Sequence, residues 1–141
     1  MKRYLICPHC PALNRIPVTG VSDPKCGKCK APLVTDPVLS VDGATLDLSV
    51  RSCAVPVIVD FWAPWCGPCV AFAPTFKQQA EHEPARFLYL KLNTEEHPNV
   101  AQRFGIQGIP TLIAFSEGRE KARQSGAMNS AQLRSWLQQF P

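Results

Sequence analysis

Three pairs of cysteines, each with two residues between its members, carry most of the chemistry open to this 141-residue chain. Cys7-Pro8-His9-Cys10 and Cys26-Gly27-Lys28-Cys29 lie near the N-terminus, with 15 residues between Cys10 and Cys26. Two C-x-x-C pairs at that separation match a four-cysteine zinc site, in which each pair wraps two sulfurs around one corner of a tetrahedron. Cys66-Gly67-Pro68-Cys69 stands alone in the middle of the chain. A lone pair suits dithiol–disulfide exchange: one accessible thiolate attacks, a second thiol releases the mixed disulfide, and a base deprotonates that second thiol.

The elements around Cys66 supply these requirements. Val57-Ile58-Val59 is an apolar, β-branched run preceded by Pro56, which predicts a strand buried on both faces of a sheet covered by helices. Cys69, Phe72, Ala73, Phe76 and Ala80 then recur at helical spacing. The dithiol thus falls where a central strand hands over to a helix, beside unpaired N–H groups and the positive end of the helix dipole. Cys66 should be the exposed, more acidic nucleophile, and Cys69, within the first turn, the resolving thiol. Asp60 is a lone carboxylate in a dry strand. Such a group has a raised pKa and can accept a proton near neutral pH.

The N-terminal segment is rich in Pro, Gly and polar residues and has too few apolar groups to fold alone. Zinc would supply most of its folding free energy, about 10–16 kcal/mol apparent in isolated finger peptides. Cys-Pro-His-Cys is also the active-site tetrapeptide of periplasmic disulfide oxidases. That reading needs a buried strand before it, and Met1–Ile6 is too short and too basic. It also gives the second pair no role. His9 reads as a solvated knuckle residue, since four thiolates already fill the shell.

Hydrophobic residues make up 45% of the chain, enough for a real core. No apolar run approaches the roughly 20 residues of a membrane span, and Cys7 and His9 arrive before a secretory h-region could develop. A cytoplasmic protein without membrane contact is expected. The net charge of +4 is uneven. Residues 1–35 hold six basic groups against Asp23 alone, a balance of +5, and the remainder carries −1. Nucleic-acid contact is one reading. The plainer one is that the lysines offset the −2 of four thiolates around a divalent ion. Seven cysteines in a cytosolic chain point to metal and redox chemistry, not a disulfide scaffold. Cys53 reads as a buried or half-buried structural thiol.

Ala31–Pro37 leads from the module into the main domain, which places the boundary near residue 35: a zinc module over 1–35 and a second domain over 36–141. Val38–Val41 predicts an edge strand, and Leu46, Leu48 and Val50 a short helical or turn-rich stretch. Pro74 predicts a kinked helix. Phe87–Leu92 is a strand, His97-Pro98 opens a short helix, and Thr111–Phe115 turns through Ser116–Arg119 into a strand reaching Gln124. Asn129, with Gln132 three residues on, caps a last helix whose apolar face is Leu133, Trp136, Leu137 and Phe140. This order gives an α/β protein, a mixed sheet with helices on both faces.

The segment Phe61–Cys69 resembles the active-site segment of the thioredoxin family. The resemblance continues at Phe104-Gly105-Ile106-Gln107-Gly108-Ile109-Pro110-Thr111 and at Gly126-Ala127, and covers the chain from about Val38 onward. The preceding cysteine pairs resemble those of the bacterial thioredoxin 2 subgroup, with its N-terminal zinc module. The resemblance implies a thioredoxin fold with the dithiol at the C-terminal end of a central strand. It implies that Asp60 deprotonates Cys69, with Lys91 as its partner on the adjacent strand; a purely structural Asp60–Lys91 salt bridge is the alternative. It implies a cis Pro110 facing the dithiol. Trp65, Gly67, Pro68, Gly108, Ile109, Gly126 and Ala127 match the family's docking surface, and Trp62 is expected to pack against the active-site helix instead of touching substrate. Val70 stands where many members have lysine, and Thr94 where many have aspartate. The expected activity is reduction of protein disulfides by a monomer with no organic cofactor, recharged by NADPH-dependent thioredoxin reductase. A zinc-ribbon module docking on protein or nucleic acid, and a zinc-thiolate redox sensor, are the alternatives.

Overall fold

A computed structural model describes all residues, 1–141. Its main sheet has five strands: β3 (Leu39–Ser40), β4 (Val57–Trp62), β5 (Leu88–Asn93), β6 (Thr111–Ser116) and β7 (Arg119–Ser125). Their spatial order is β3-β5-β4-β6-β7. β4 runs parallel to β5 and antiparallel to β6, so the apolar run of the sequence occupies the sheet centre. Between the strands lie α1 (Gly43–Ser52), α2 (Gly67–His82) and α3 (Pro98–Arg103), and α4 (Ser130–Leu137) follows β7. The element order is the one expected from the sequence.

Period-two alternation splits the core into two layers. Val57, Val59 and Phe61 of β4, with Leu88, Leu90 and Leu92 of β5, meet Leu46 of α1 and the half-buried Val100 of α3. Ile58 and Tyr89 face the other way, against Phe72, Phe76 and Ala80 of α2 and Leu133 and Leu137 of α4. By the same alternation Asp60 and its register partner Lys91 lie on the α2 side. Phe76 is at the centre of that layer, its ring 5.9 Å from Phe72 and 5.7 Å from Tyr89. Gln79, not Ala73, completes the buried stripe of α2, directing its amide at the Tyr89 hydroxyl (3.4 Å). Ala73 is exposed.

Local chemistry shapes the elements in turn. α2 runs continuously through the exposed Pro74. α4 begins with a full capping box in which Asn129 and Gln132 each accept the other's amide. The β6–β7 turn places Glu117 and Gly118 at φ of 56° and 78°, the left-handed pair that suits a two-residue hairpin.

The N-terminal segment forms a hairpin of its own, β1 (Lys2–Ile6) paired antiparallel with β2 (Leu13–Pro17). The boundary expected near residue 35 would set this module apart from the main core. Instead Leu5, Ile6, Cys7, Cys26 and Leu33 belong to the same buried cluster as Leu39, Val41 and Leu46. A segment too poor in apolar groups to close its own core buries them against the neighbouring sheet.

Phe76→Ala should cost about 3–5 kcal/mol, the usual toll of emptying a buried aromatic site. Urea denaturation followed by fluorescence checks this, and a loss below about 1 kcal/mol would mean that the α2 layer can collapse around the gap.

Candidate active site and metal centre

The dithiol sits where β4 gives way to α2. Cys66 is the N-cap of α2 with extended backbone, and its Sγ accepts the amide of Cys69 at 3.3 Å. Pro68 lies in the first turn, where its missing N–H leaves nothing unpaired. The two sulfurs are joined as a disulfide, with Cα atoms 5.2 Å apart. Cys66 is 6% exposed and Cys69 1%. The more open sulfur is Cys66, yet it is more covered than the exposed thiol expected from sequence. Half-buried Ile109 packs beside the pair, and its carbonyl oxygen lies 3.6 Å from the Cys66 sulfur.

Around this nearly buried pair the surface is open and apolar. Trp65 is 70% exposed and Val70 55%. Gly67, Pro68, Gly108, Gly126 and Ala127 are exposed as well. The Ile109–Pro110 peptide is cis. The Pro110 carbonyl accepts the amide of Gly126 at 2.8 Å, which ties the two loops into one rim. Gly126 has φ of 93°, a conformation that favours glycine. Of the loops named from sequence, the one at Ile109 thus packs against the pair and the one at Gly126 is tied to it through Pro110.

Asp60 is 4% exposed, and its Oδ1 has no hydrogen-bond partner in the protein. Burial pushes its carboxyl up to about 7, against the pull of Lys91. The Asp60–Lys91 salt bridge weighed from sequence is not formed. Lys91 is the register neighbour of Asp60, but its ammonium lies over the Trp62 ring, 5.8 Å from the centroid. Long side chains aim at the best local electrostatic partner, and register alone does not choose it. Trp62 is half-buried behind the dithiol, packed against Ala63 and the cysteines.

Three residues near the site have roles that sequence reasoning missed. Thr94 donates both its amide (2.8 Å) and its hydroxyl (3.1 Å) to the Trp62 carbonyl, bracing the end of β4 just before the dithiol. Asp36 and Lys77 line the cavity at Asp60. The sequence signal at Thr94 is its departure from the family's aspartate; Asp36 and Lys77 carry no motif.

The other four cysteines come together at the tip of the hairpin. Their sulfurs all lie within 4.8 Å of one another, with Cys7–Cys29 and Cys10–Cys26 at 3.5 Å. Both knuckles repeat one backbone design: the amides of Cys7 and Cys26 donate to the carbonyls five residues on, at Ala12 (3.0 Å) and Ala31 (2.8 Å). Amides of His9 and Cys10 point at the Cys7 sulfur, and that of Lys28, with the Asn14 side chain, at Cys26. The amide of Cys29, then Asn14 and Lys28, hold the Cys26 thiol down to about 6 against burial. Cys29 is pushed up to about 12: the Ala31 amide pulls it down, but the sulfurs of Cys7, Cys10 and Cys26 outweigh that pull. Four thiolates so close repel one another, and a divalent cation removes the conflict. A tetrahedral zinc with Zn–S of about 2.3 Å sets its sulfurs about 3.8 Å apart, so the donor set and its spacing fit such an ion. His9 is exposed and the sulfur set is complete without it. Cys53 is half-buried, and burial pushes its thiol up.

Comparison with known proteins extends the match over nearly the whole chain. The family model for thioredoxin matches residues 37–139, and that for "Thioredoxin 2, N-terminal" matches residues 6–31. Thioredoxin C-3 of Corynebacterium nephridii is 34% identical over 136 residues, spanning 96% of this chain and 93% of that protein. A thioredoxin of Acidithiobacillus ferridurans is 38% identical over 104 residues, spanning 74% of this chain and 96% of that one. The crystal structure of chloroplastic thioredoxin z superposes with a TM-score of 0.67 at 32% identity, over 72% of this chain and 92% of that one. The sheet order, the dithiol at a strand-to-helix junction and the extent of these matches lead to one assignment: the chain belongs to the thioredoxin family of protein-disulfide oxidoreductases.

Proposed function

We propose that this protein reduces disulfides of other proteins in the cytoplasm, with Cys66 attacking, Cys69 resolving and Asp60 as the base. It acts as a monomer without organic cofactor and is recharged by NADPH-dependent thioredoxin reductase. The observation that carries the reading is a single junction: a cysteine pair capping a helix, with a buried, unpaired carboxyl on the strand that leads into it. No helix is long and apolar enough to cross a membrane.

In the first step the Cys66 thiolate attacks one sulfur of the target disulfide, and the other leaves as a thiolate that takes a proton from water. Trp65, Gly67, Pro68, Gly108, Ile109, Pro110, Gly126 and Ala127 hold the target chain over the pair. Asp60 takes the proton of Cys69, whose thiolate attacks the Cys66 sulfur. The Cys66–Cys69 disulfide closes, the second target sulfur leaves, and two electrons have passed to the substrate. A carboxyl poised at about 7 suits this task, because it can both accept and release a proton near neutrality. Cys7, Cys10, Cys26 and Cys29 hold one structural zinc in a closed shell, which stabilises the hairpin and has no open position for chemistry.

Insulin reduction coupled to NADPH and thioredoxin reductase tests the central reading. The wild type should turn over and Cys66→Ser should not. On the reduced protein, iodoacetamide near neutral pH should label Cys66 well before Cys69, because the helix N-terminus stabilises only the capping thiolate. Equal or reversed labelling by mass spectrometry would reject these roles.

Asp60→Asn should fold, yet release the mixed disulfide more slowly, most visibly below the pH at which Cys69 ionises unaided. Its stability profile has a definite sign. The carboxyl titrates near 3.8 unfolded and at about 7 folded, so the folded state holds the extra proton between those values. Wild-type stability should therefore fall as pH rises from about 4 to about 8, and the variant should lack this slope. The gap at about pH 8 has an upper bound of about 4 kcal/mol, at about 1.4 kcal/mol per pH unit. Parallel denaturation profiles for the two proteins would remove the buried-charge argument.

Metal analysis of freshly reduced protein should find one zinc per chain. A truncation to residues 36–141 should still fold and reduce insulin, but at lower stability, because Leu39, Val41 and Leu46 lose part of their cover. A folded yet inactive truncation would overturn the independence of the two modules.

A further inference from the structure

A cavity of about 340 Å³ opens beside Asp60. Its walls include Val38 ahead of β3, Pro74 and Phe76 of α2, and three charged side chains: Asp36, Lys77 and Lys91. The Asp60 carboxyl is almost fully buried and its Oδ1 is unpartnered, so this cavity is the route by which water can reach it. Lys91 leans toward Trp62 and forms no ion pair with Asp60. The β6 register partner of Asp60, Leu112, is apolar.

The remaining charges stand at the solvent end, where Asp36 and Lys77 are both exposed. Val70, Pro74 and Lys77 follow one another at four- and three-residue steps, so they share one face of α2. Val70, in the first turn, offers no cation to the cavity; Lys77, two turns on, does. Asp36 is held in place by accepting the amide of Val38 at 3.0 Å. Asp36 and Val38 also line the groove of about 420 Å³ that runs from Cys7 and Pro8 of the first metal knuckle to β3. The chain that leads out of the metal module, at Asp36 and Val38, is thus one wall of the Asp60 cavity.

We propose that Lys77 is a positioning residue for Asp60, opposed by Asp36, the two charges acting alongside the pull of Lys91 to adjust across the cavity the pH at which Asp60 takes up and gives up its proton. Lys77 favours the carboxylate and Asp36 disfavours it. Both charges face solvent, which screens them and keeps each effect to a fraction of a pH unit. The kinetic consequence, a shifted pH profile for mixed-disulfide release, rests on the reading of Asp60 as the base for Cys69. The electrostatic coupling itself does not.

The test is a carboxyl-carbon NMR titration of Asp60 in the oxidised, full-length protein, with the pH profile of mixed-disulfide release measured beside it. Lys77→Gln should raise the Asp60 midpoint and Asp36→Asn should lower it, each by about half a pH unit. Lys77→Arg should restore the wild-type value. Both positions face solvent, and the Asp36→Asn side chain keeps an acceptor for the Val38 amide. Opposite shifts with rescue by arginine support the proposal. Unmoved midpoints, or shifts of the same sign in both variants, overturn it. Failure of the base assignment reads differently: Asp60→Asn would leave the release rate unchanged while the midpoint shifts in the other variants stand.

Discussion

β4 is hydrogen-bonded on both edges and covered on both faces, and the placement of the reactive groups follows from that. Its pairing with β5 and β6 fixes which residues point toward α2, and the answer includes Asp60. Because the strand is central, a carboxylate there is almost fully buried and meets water only through the cavity beside it. Its carboxyl stays poised near neutrality because desolvation outweighs the pull of Lys91. The same strand delivers Cys66 to the start of α2, where helix geometry directs the Cys69 amide at its sulfur. One pairing pattern therefore places both the thiol pair and the buried carboxyl.

The two modules meet through packing, not through a shared site. Their apolar side chains form one continuous cluster that includes Leu5 and Leu33 as well as Leu39 and Val41. The four cysteine sulfurs gather at the tip of the hairpin, and the buried Leu5, Ile6 and Cys7 beside them join the main core. This division of labour is physically reasonable for a segment of about 35 residues, which buries too little surface to be stable unaided. The connecting residues Asp36 and Val38 then lie close to both the metal knuckle and the Asp60 cavity.

The surface around the dithiol combines rigid and open features. Trp65 and Val70 present apolar area to solvent, while the cis Pro110 loop and the Gly126 loop are tied to each other by a backbone hydrogen bond. Thr94 braces the end of β4 from beneath. With valine at position 70 this surface carries no cation in the first turn of α2.

The sequence by itself determined the chemistry and most of the elements. Cysteine spacing distinguishes a metal site from a dithiol, because a tetrahedron and a small disulfide ring need different partners. Apolar periodicity locates β4, α2 and α4, since both signals are local. What only the tertiary structure decided depends on groups distant in the chain. Lys91 turning to Trp62, the near burial of Cys66 under the Ile109 loop, and Gln79 displacing Ala73 from the buried stripe are all set by neighbours across the sheet. The fusion of the metal hairpin with the main core belongs to the same class, as does the arrival of Asp36 and Lys77 at the Asp60 cavity. Desolvation and side-chain aim are properties of assembled layers, and no spacing rule along one strand contains them.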